Sequence, residues 1–424
     1  MFDNISIERR YTMPIHVVNE AKRCLNCKKP RCVEGCPIST PIPQMISEFL
    51  NGGITDAGEM IFENNPLSIV CSLVCDHENQ CEGHCILNKK SSPVHISSIE
   101  NYISSNYFDK MKMTKEEKKN QKAAVIGSGP AGITISIMLA KMGYSVTVFE
   151  AREKIGGVLR YGIPEFRLPK NILDNIKGKM LELGIKFRHN TTIGGAISID
   201  DLVRDGYLAI FIGTGVWRPN SLKIKGETLG NVHYAIDYLV NPDSFHLGDS
   251  LAIIGAGNSA MDVARTALRK GVRDVTIYYH RDVIKASQRE IEYAMIDGVK
   301  FEYCKAPVEL TEEGPILKTV IVNEDESVSD VPGSETLYRA DSTIIAISQG
   351  PKNKIVSTTE GIEVNKRGLI VTDDDGKTTR DGIFASGDVV NGAKTVVEAV
   401  HYSKQVAEAM DQYMQSLTGK TDTP

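Results

Sequence analysis

The sequence predicts an α/β protein: two Rossmann-like units, one interrupted by the other, preceded by a mainly helical, cysteine-rich domain. Three observations predict it. Eight of the nine cysteines crowd between Cys24 and Cys85. From Ala123 onward, short apolar strands, glycine turns and helical stretches alternate, the texture of βαβ units. The pattern of strand, GxGxxG/A, helix and strand then occurs twice, at Ala123–Glu150 and at Leu251–Arg281. A length of 424 residues suits about three domains at roughly 150 residues each. We place them at 1–115, at 121–246 with 353–424, and at 247–352.

Composition excludes several function classes. Lys+Arg number 49 against 54 Asp+Glu, a net charge of −5, so the chain lacks the basic excess of a nucleic-acid binder. The hydrophobic fraction of 41% and charged fraction of 24% are those of a globular protein. No run of 18 or more apolar residues predicts a membrane-spanning helix, so no membrane partner is expected. The opening MFDNISIERRYTMP lacks the apolar core of a secretory signal. A cytoplasmic location is therefore expected, where thiols stay reduced and clustered cysteines read as metal ligands.

In the first domain, Ile42-Pro43 followed by Met45, Ile46, Phe49 and Leu50 has helical spacing, and Asn65-Pro66 breaks any helix before the second cysteine group. The groups are Cys24-x2-Cys27-x4-Cys32-x3-Cys36-Pro37 and Cys71-x3-Cys75-x5-Cys81-x3-Cys85. Thiolates suit zinc or iron–sulfur clusters. Zinc sites more often carry paired CxxC units, whereas here one CxxC is present and a Cys-Pro closes the first group. That ending resembles two-cluster ferredoxins, in which the Cys before Pro ligates the other cluster, and it favours two [4Fe–4S] clusters with crossed ligation. Lys110–Lys122 (KMKMTKEEKKNQK) reads as a linker or a solvated helix end.

The second domain opens with the strand Ala123–Ile126, the turn Gly127-Ser128-Gly129-Pro130-Ala131-Gly132, a helix over Ile133–Lys141 and the strand Ser145–Phe149 ending in Glu150. Such glycines let the backbone approach a pyrophosphate at a helix N-terminus, and a carboxylate at the position of Glu150 can bind ribose hydroxyls. The third domain repeats the unit: Leu251–Ile254, then Gly255-Ala256-Gly257-Asn258-Ser259-Ala260, a helix over Met261–Arg269, and Val275–Tyr279 followed by His280-Arg281. Basic residues stand where the first unit has a carboxylate. Arg281, with His280 and Arg289, suits a 2′-phosphate, which favours NADPH over NADH.

Two dinucleotide units in one chain point to electron transfer from a nicotinamide to a flavin. Near the C-terminus, Gly382–Asp388 is a short strand ending in an acidic turn, and Gly392-Ala393-Lys394-Thr395-Val396 starts the last helix. Asp388, after Gly387, can bind a ribityl chain. The helix N-terminus at Lys394, Thr395 and Val396 can offer N–H groups to a reduced flavin. No cysteine pair follows Cys85, and Cys304 stands alone. Electrons on a flavin would therefore leave by the N-terminal clusters rather than by a disulfide.

The runs Ala21–Cys27, Cys36-Pro37, Gln80–Cys85, Gly156–Pro169 (GGVLRYGIPEFRLP) and Ala385–Val396 resemble the small (β) subunit of glutamate synthase and its relatives. Those relatives include the large subunit of NADH-dependent ferredoxin:NADP⁺ oxidoreductase and the flavin subunit of bacterial dihydropyrimidine dehydrogenase. The resemblance implies FAD at the first unit, with Gly157, Arg160 and Arg167 of the GGVLRYGIPEFRLP run among its binding residues, and NAD(P)H at the second. It implies one cluster on Cys24, Cys27, Cys32 and Cys85 and another on Cys36, Cys75, Cys81 and Glu100, leaving Cys71 over. It also implies a partner subunit carrying the terminal acceptor. That partner would be a glutamate synthase large subunit or, alternatively, a ferredoxin-linked bifurcating system or a pyrimidine- or other substrate-reducing one. The chain departs from the family in having His280-Arg281 for Arg-Arg, Lys285-Ala286-Ser287 for Met-Pro-Ala, and Ser348 for a glycine.

Overall fold

The computed structural model describes residues 16–284 and 286–418; Lys285 lies outside them. The described chain divides into two compact units. One runs through Gly156, resumes over Arg167–Thr214 and takes up again from Asn353; the other comprises Gly157–Phe166 and Gly215–Lys352.

The first unit opens helically. α1 (Ile42–Leu50) starts with proline at its first turn and buries Ile42, Met45, Ile46 and Phe49, whereas Leu50, the last residue of the expected stripe, is exposed at the helix end. α2 (Ile54–Asn64) ends where Asn65 turns extended, φ −145°, ahead of Pro66. A residue before proline is pushed out of the helical region, so the break falls where the sequence places it. α3 (Ser68–Val74) and α4 (Ile96–Lys110) complete this layer. Its core is Ile42, Met45, Ile46, Ile61, Ile96, Ile99 and Ile103, against which Cys24, Cys32, Cys36 and Cys85 pack partly buried.

Residues 111–121 are not helical. They form a strap: Glu116 N–H donates to the Lys141 carbonyl (2.7 Å) and Lys119 N–H to that of Gly143 (2.9 Å). The Lys119 ammonium stands 4.3 Å from the Tyr144 ring centroid and 3.3 Å from Asp411. Lys112, Lys115, Glu116, Glu117 and Lys118 are exposed, as a solvated segment requires, while backbone bonds and the Lys119 side chain fasten it. The cysteine-bearing helices and the α/β layer that follows accordingly form one compact unit rather than two.

β1 (Lys122–Ile126), α5 (Pro130–Lys141) and β2 (Ser145–Phe149) form the expected βαβ unit, followed by α6 (Lys170–Glu182), β3 (Lys186–Arg188) and β4 (Tyr207–Ile212). The second unit contains β5 (Val232–Tyr234), β6 (Ser250–Ile254), α7 (Asn258–Arg269), β7 (Asp274–Tyr278), α8 (Gln288–Asp297) and β8 (Lys300–Glu302). Next come β9 (Lys305–Thr311), β10 (Gly314–Val322), β11 (Val328–Asp330) and β12 (Ser342–Ile345). Its parallel sheet has the order β5-β12-β6-β7-β8, and β9, β10 and β11 pair antiparallel beside it. β5 pairs with β12, Val232 opposite Thr343, so this unit recruits chain from Gly215 onward, ahead of the boundary expected at 247. Back in the first unit, β13 (Ile383–Ala385) and α9 (Val396–Thr418) complete the described residues, and the parallel order there is β13-β4-β1-β2-β3. Ala123–Ile126 of β1 are all buried, as a strand covered on both faces requires. Among the described residues no helix is long and apolar enough to cross a membrane.

Candidate functional site

The cysteines form two sets. Cys24, Cys27 and Cys32 meet Cys85, from more than fifty residues downstream, around one recess whose other walls include Leu25, Ile42, Ile46, Ile86 and Ile96. About 450 Å³ there is not filled by atoms, open solvent included. Asn26, in the left-handed region at φ 46°, turns the chain between Cys24 and Cys27, and Pro30 starts the single helical turn bearing Cys32. Burial pushes the Cys24 thiol up, and it pushes Cys32 to about 11 with the neighbouring Cys85 and Cys24 adding to it. Such thiols are protonated until a cation offsets the clustered negative charge.

The second set of neighbours gathers Cys36, Cys71, Cys75, Cys81 and Glu100. Cys81 is buried, and desolvation, then Glu100, Glu82 and Cys36, raise its thiol pKa. Glu100, 7% exposed, is pushed to about 8 by burial, with Glu82 adding to it. Glu82 is itself fixed: its Oε1 accepts from Ser97 N–H (2.8 Å) and Oγ–H (2.7 Å). Cys75 carries a side-chain hydrogen bond with Cys71, which contributes most to raising its thiol, followed by burial and by the charges of Cys71, Glu100 and Cys81. Cys71 and Glu100 thus both stand against Cys75. Among the described residues no three His, Cys, Asp or Glu side chains are pinched tightly enough to hold a single metal ion. Soft thiols spread around an apolar wall suit a multi-iron cluster, whose ligands reach separate corners, and the donor chemistry fits that group.

In the first nucleotide unit, Gly127 has φ 96° and a Cβ there would meet the Gly213 carbonyl oxygen at 2.6 Å; a Cβ on Gly132 would meet that of Gly127 at 2.0 Å. β1, β4 and α5 therefore close on a backbone that only glycine permits. Gly129 caps α5 in an extended conformation and Pro130 and Ala131 open it, leaving first-turn N–H groups free of side chains. Glu150 is buried and its Oε2 accepts from Ser128 N–H (3.0 Å) and from the Ser128 hydroxyl, while Oε1 accepts from Arg152 N–H (2.8 Å). A carboxylate has about four acceptor sites, so capacity for a ribose hydroxyl remains. Ser128 is a residue the sequence reading passed over; its place inside the glycine turn was the available signal.

The C-terminal turn meets the same glycine loop: a Cβ on Gly387 would stand 3.1 Å from that of Ala131. Asp388 follows, pushed to about 6 chiefly by burial, and its Oδ1 accepts from Lys394 N–H (3.3 Å). Thr395 and Glu398 cap α9 reciprocally: Thr395 N–H and Oγ–H donate to Glu398 Oε2 (3.0 and 2.6 Å), and Glu398 N–H returns to Thr395 Oγ1 (3.4 Å). Lys394 pairs with Glu398 at 3.4 Å, and Val396 begins the helix. Of the three GGVLRYGIPEFRLP residues, Gly157 and Arg160 pack with the second unit and Arg167 with the first.

In the second unit, a Cβ on Gly255 (φ 112°) would meet the Ala346 carbonyl oxygen at 2.4 Å, whereas one on Gly257 meets nothing within 4 Å. The loop is tight on its inner side and open where α7 begins with Asn258, Ser259 and Ala260. Asn258 Oδ1 accepts from Ser287 N–H (3.0 Å). Arg281 donates to the Glu326 carbonyl (3.0 Å), and Arg289 Nε lies 3.3 Å from the Tyr293 hydroxyl. The His280 ring packs edge-on against Tyr279. These three expected phosphate partners are thus engaged by the chain itself, although a guanidinium keeps further donors.

Comparison with known proteins bears on these sites. Residues 3–112 match a family model described as dihydropyrimidine dehydrogenase domain II, 4Fe-4S cluster. Residues 89–206 and 203–404 match the pyridine nucleotide-disulphide oxidoreductase model. The chain is 33% identical to the glutamate synthase [NADPH] small chain of Halomonas elongata, covering 95% of this chain and 91% of that one. It is 30% identical to the NAD-dependent dihydropyrimidine dehydrogenase subunit PreT of Salmonella typhimurium, covering 95% of each. Among solved structures it resembles Mycobacterium tuberculosis FprA in complex with NADPH, with a TM-score of 0.59 and 16% identity over 72% of this chain and 87% of that one. That likeness concerns the fold.

Proposed function

The chain belongs to the glutamate synthase small-chain family of pyridine-nucleotide oxidoreductases, and from that premise we propose that it takes electrons from NADPH and passes them through FAD and two [4Fe–4S] clusters to a partner subunit bearing the terminal acceptor. FAD supplies the conversion of a hydride into single electrons, which the clusters can carry.

The gathering of Cys24, Cys27, Cys32 and Cys85 from two distant stretches around one apolar recess carries this reading. Cys36, Cys75, Cys81 and Glu100 would hold the second cluster. The chain's own part is binding and orientation. Backbone N–H groups opening α5 would receive the FAD pyrophosphate, Glu150 the adenosine ribose and Asp388 the ribityl chain, while the start of α9 would offer the flavin its dipole and the N–H of Val396, those of Lys394 and Thr395 being taken by Asp388 and Glu398. The open side of Gly257 would admit the NADPH pyrophosphate, and the donors that Arg281 keeps beside its bond to Glu326 would suit a 2′-phosphate.

The test is anaerobic reconstitution. NADPH should bleach the flavin absorbance, and iron should approach about eight per chain, the content of two four-iron clusters. Flavin that stays oxidised with both NADPH and NADH refutes the reading.

A further inference from the structure

The recess holding Cys24, Cys27, Cys32 and Cys85 opens beside two large apolar side chains that the fold leaves outside. Leu25 is 62% exposed and Ile86 46% exposed, and both line the recess. Each directly adjoins a thiol of the set, Cys24 or Cys85.

Around them positive charge predominates, Glu34 being the one acidic residue of 21–36. Lys22, Lys28, Lys29, Arg31, Lys89 and Lys90 are exposed, and neither 21–33 nor 83–99 contains an aspartate or glutamate. No carboxylate among the described residues forms an ion pair with any of the six. One further cation is spent on architecture. Arg23 pairs with Glu20 and donates to the carbonyls of Ser92 (2.6 Å) and Pro93 (3.1 Å). It thereby ties the loop bearing Lys22 and Cys24 to the loop that follows Lys89 and Lys90. The two basic stretches are held together at this place, in a chain whose net charge is −5. Concentration of positive charge against that balance is a field that steers a negative partner, and an exposed apolar centre within a charged rim is the anatomy of a docking patch.

Deepening the reading proposed above, on which it rests, we infer that this patch is the electron-exit surface and that its occupant is the acidic face of a one-electron acceptor protein. Leu25 and Ile86 bring the acceptor over the recess, and the lysines set its approach and orientation. A single electron moves from the reduced cluster to the acceptor's oxidised centre, with no bond made or broken. Redox encounters of this kind use small interfaces, which suits an apolar centre of two side chains. A membrane or nucleic acid would also answer positive charge, but neither explains why the apolar pair adjoins redox thiols.

The test uses the reconstituted holoprotein reduced with dithionite, so that it reads even if NADPH fails to bleach the flavin. Its oxidation is followed by stopped flow against acidic rubredoxin and against basic cytochrome c. The rate with rubredoxin should fall at least tenfold between roughly 20 and 300 mM salt, and that with cytochrome c should not. The variant Lys22→Glu/Lys89→Glu/Lys90→Glu should slow rubredoxin at least tenfold, with iron content and reduction of the neutral quinone menadione unchanged. Lys22→Arg/Lys89→Arg/Lys90→Arg should restore the rate. A rubredoxin rate indifferent to salt, or unchanged in the Glu variant, overturns the inference. So does a variant that loses co-sedimentation with phosphatidylglycerol vesicles, or binding to single-stranded DNA, while its rubredoxin rate stays the same.

Discussion

Gly255 and Gly257 stand two residues apart in one loop, and adding a methyl group to each should have opposite consequences. At Gly255 the backbone is at φ 112° and the new Cβ would lie 2.4 Å from the Ala346 carbonyl oxygen. The conformation costs an L-residue about 1–2 kcal/mol, and forcing the clash apart about 1–3 kcal/mol. Gly255→Ala should therefore lose about 2–5 kcal/mol of stability in urea titration. Gly257 has φ −86° and ψ 178°, which any residue adopts, and its Cβ would meet nothing within 4 Å. Gly257→Ala should leave the apoprotein as stable, or about 0.4–1 kcal/mol more so through a less entropic unfolded chain. The methyl would instead occupy the space through which a pyrophosphate reaches the α7 N–H groups. Losing one hydrogen bond to a charged group costs about 1.5–3 kcal/mol, a roughly ten- to hundredfold weaker NADPH Kd. Urea denaturation and NADPH titration by fluorescence separate the two effects. A Gly257→Ala protein with normal NADPH affinity refutes the placement of the nucleotide phosphates, and one as unstable as Gly255→Ala refutes the reading of that side as open.

Three further outcomes are expected. Cys85→Ala should lower iron from about eight to about four per chain, since Cys85 shares its recess with the first three cysteines, and Cys304→Ala should leave it unchanged; equal losses would undo the crossed assignment. Asp388 is raised to about 6 by burial, so the folded apoprotein holds its proton more tightly than the unfolded chain does and stability falls as pH rises from about 4 to about 6. Asp388→Asn should remove that loss, gaining about 3 kcal/mol at pH 7.5 and nothing at pH 3.5 in urea titrations. Ser348, where the family commonly has glycine, sits at φ 74°; Ser348→Gly should raise stability by about 0.5–1 kcal/mol, the left-handed penalty less glycine's unfolded entropy, and a loss would mean that the serine side chain compensates the strain.

Where a pattern has a period, the sequence discloses structure. The strand expected at Ser145–Phe149 has those bounds, and the helix expected from Ile133 starts three residues sooner, at Pro130, because proline and small residues occupy a first turn that periodicity does not register. β5 was not legible: three residues give no alternation to read, and only pairing with β12 makes Val232–Tyr234 a strand. The strap at 111–121 was hidden for another reason. Its lysines and glutamates look solvated, and their partners, Lys141, Gly143 and Asp411, lie far off in sequence. In the site, cysteine spacing indicated metal chemistry, whereas the tie between Glu150 and Ser128 and the turn of Arg281 toward Glu326 depend on tertiary contacts that no local pattern encodes.

The GGVLRYGIPEFRLP run shows how a contiguous motif can mislead about which body its residues serve. It is split: Gly156 and Arg167 pack with the first unit, and Gly157–Phe166 with the second. What anchors the inner piece is visible at its end. Phe166 covers two guanidinium groups of α7, its ring centroid 4.8 Å from Arg265 and 4.2 Å from Arg269. Arg265 is buried, with Nη1 on Glu290 (2.8 Å) and Nε on Asp297 (2.9 Å); Arg269 shares Asp297 at 2.6 Å. A buried guanidinium needs its carboxylates, because an unpaired charge there costs several kcal/mol (about 3–5 when one partner is removed), and an aromatic face satisfies the side the carboxylates leave bare. Phe166 thus completes an ion network belonging to α7 and α8. At that end the run serves the packing of the second unit, a role that contact with a cofactor alone would not require.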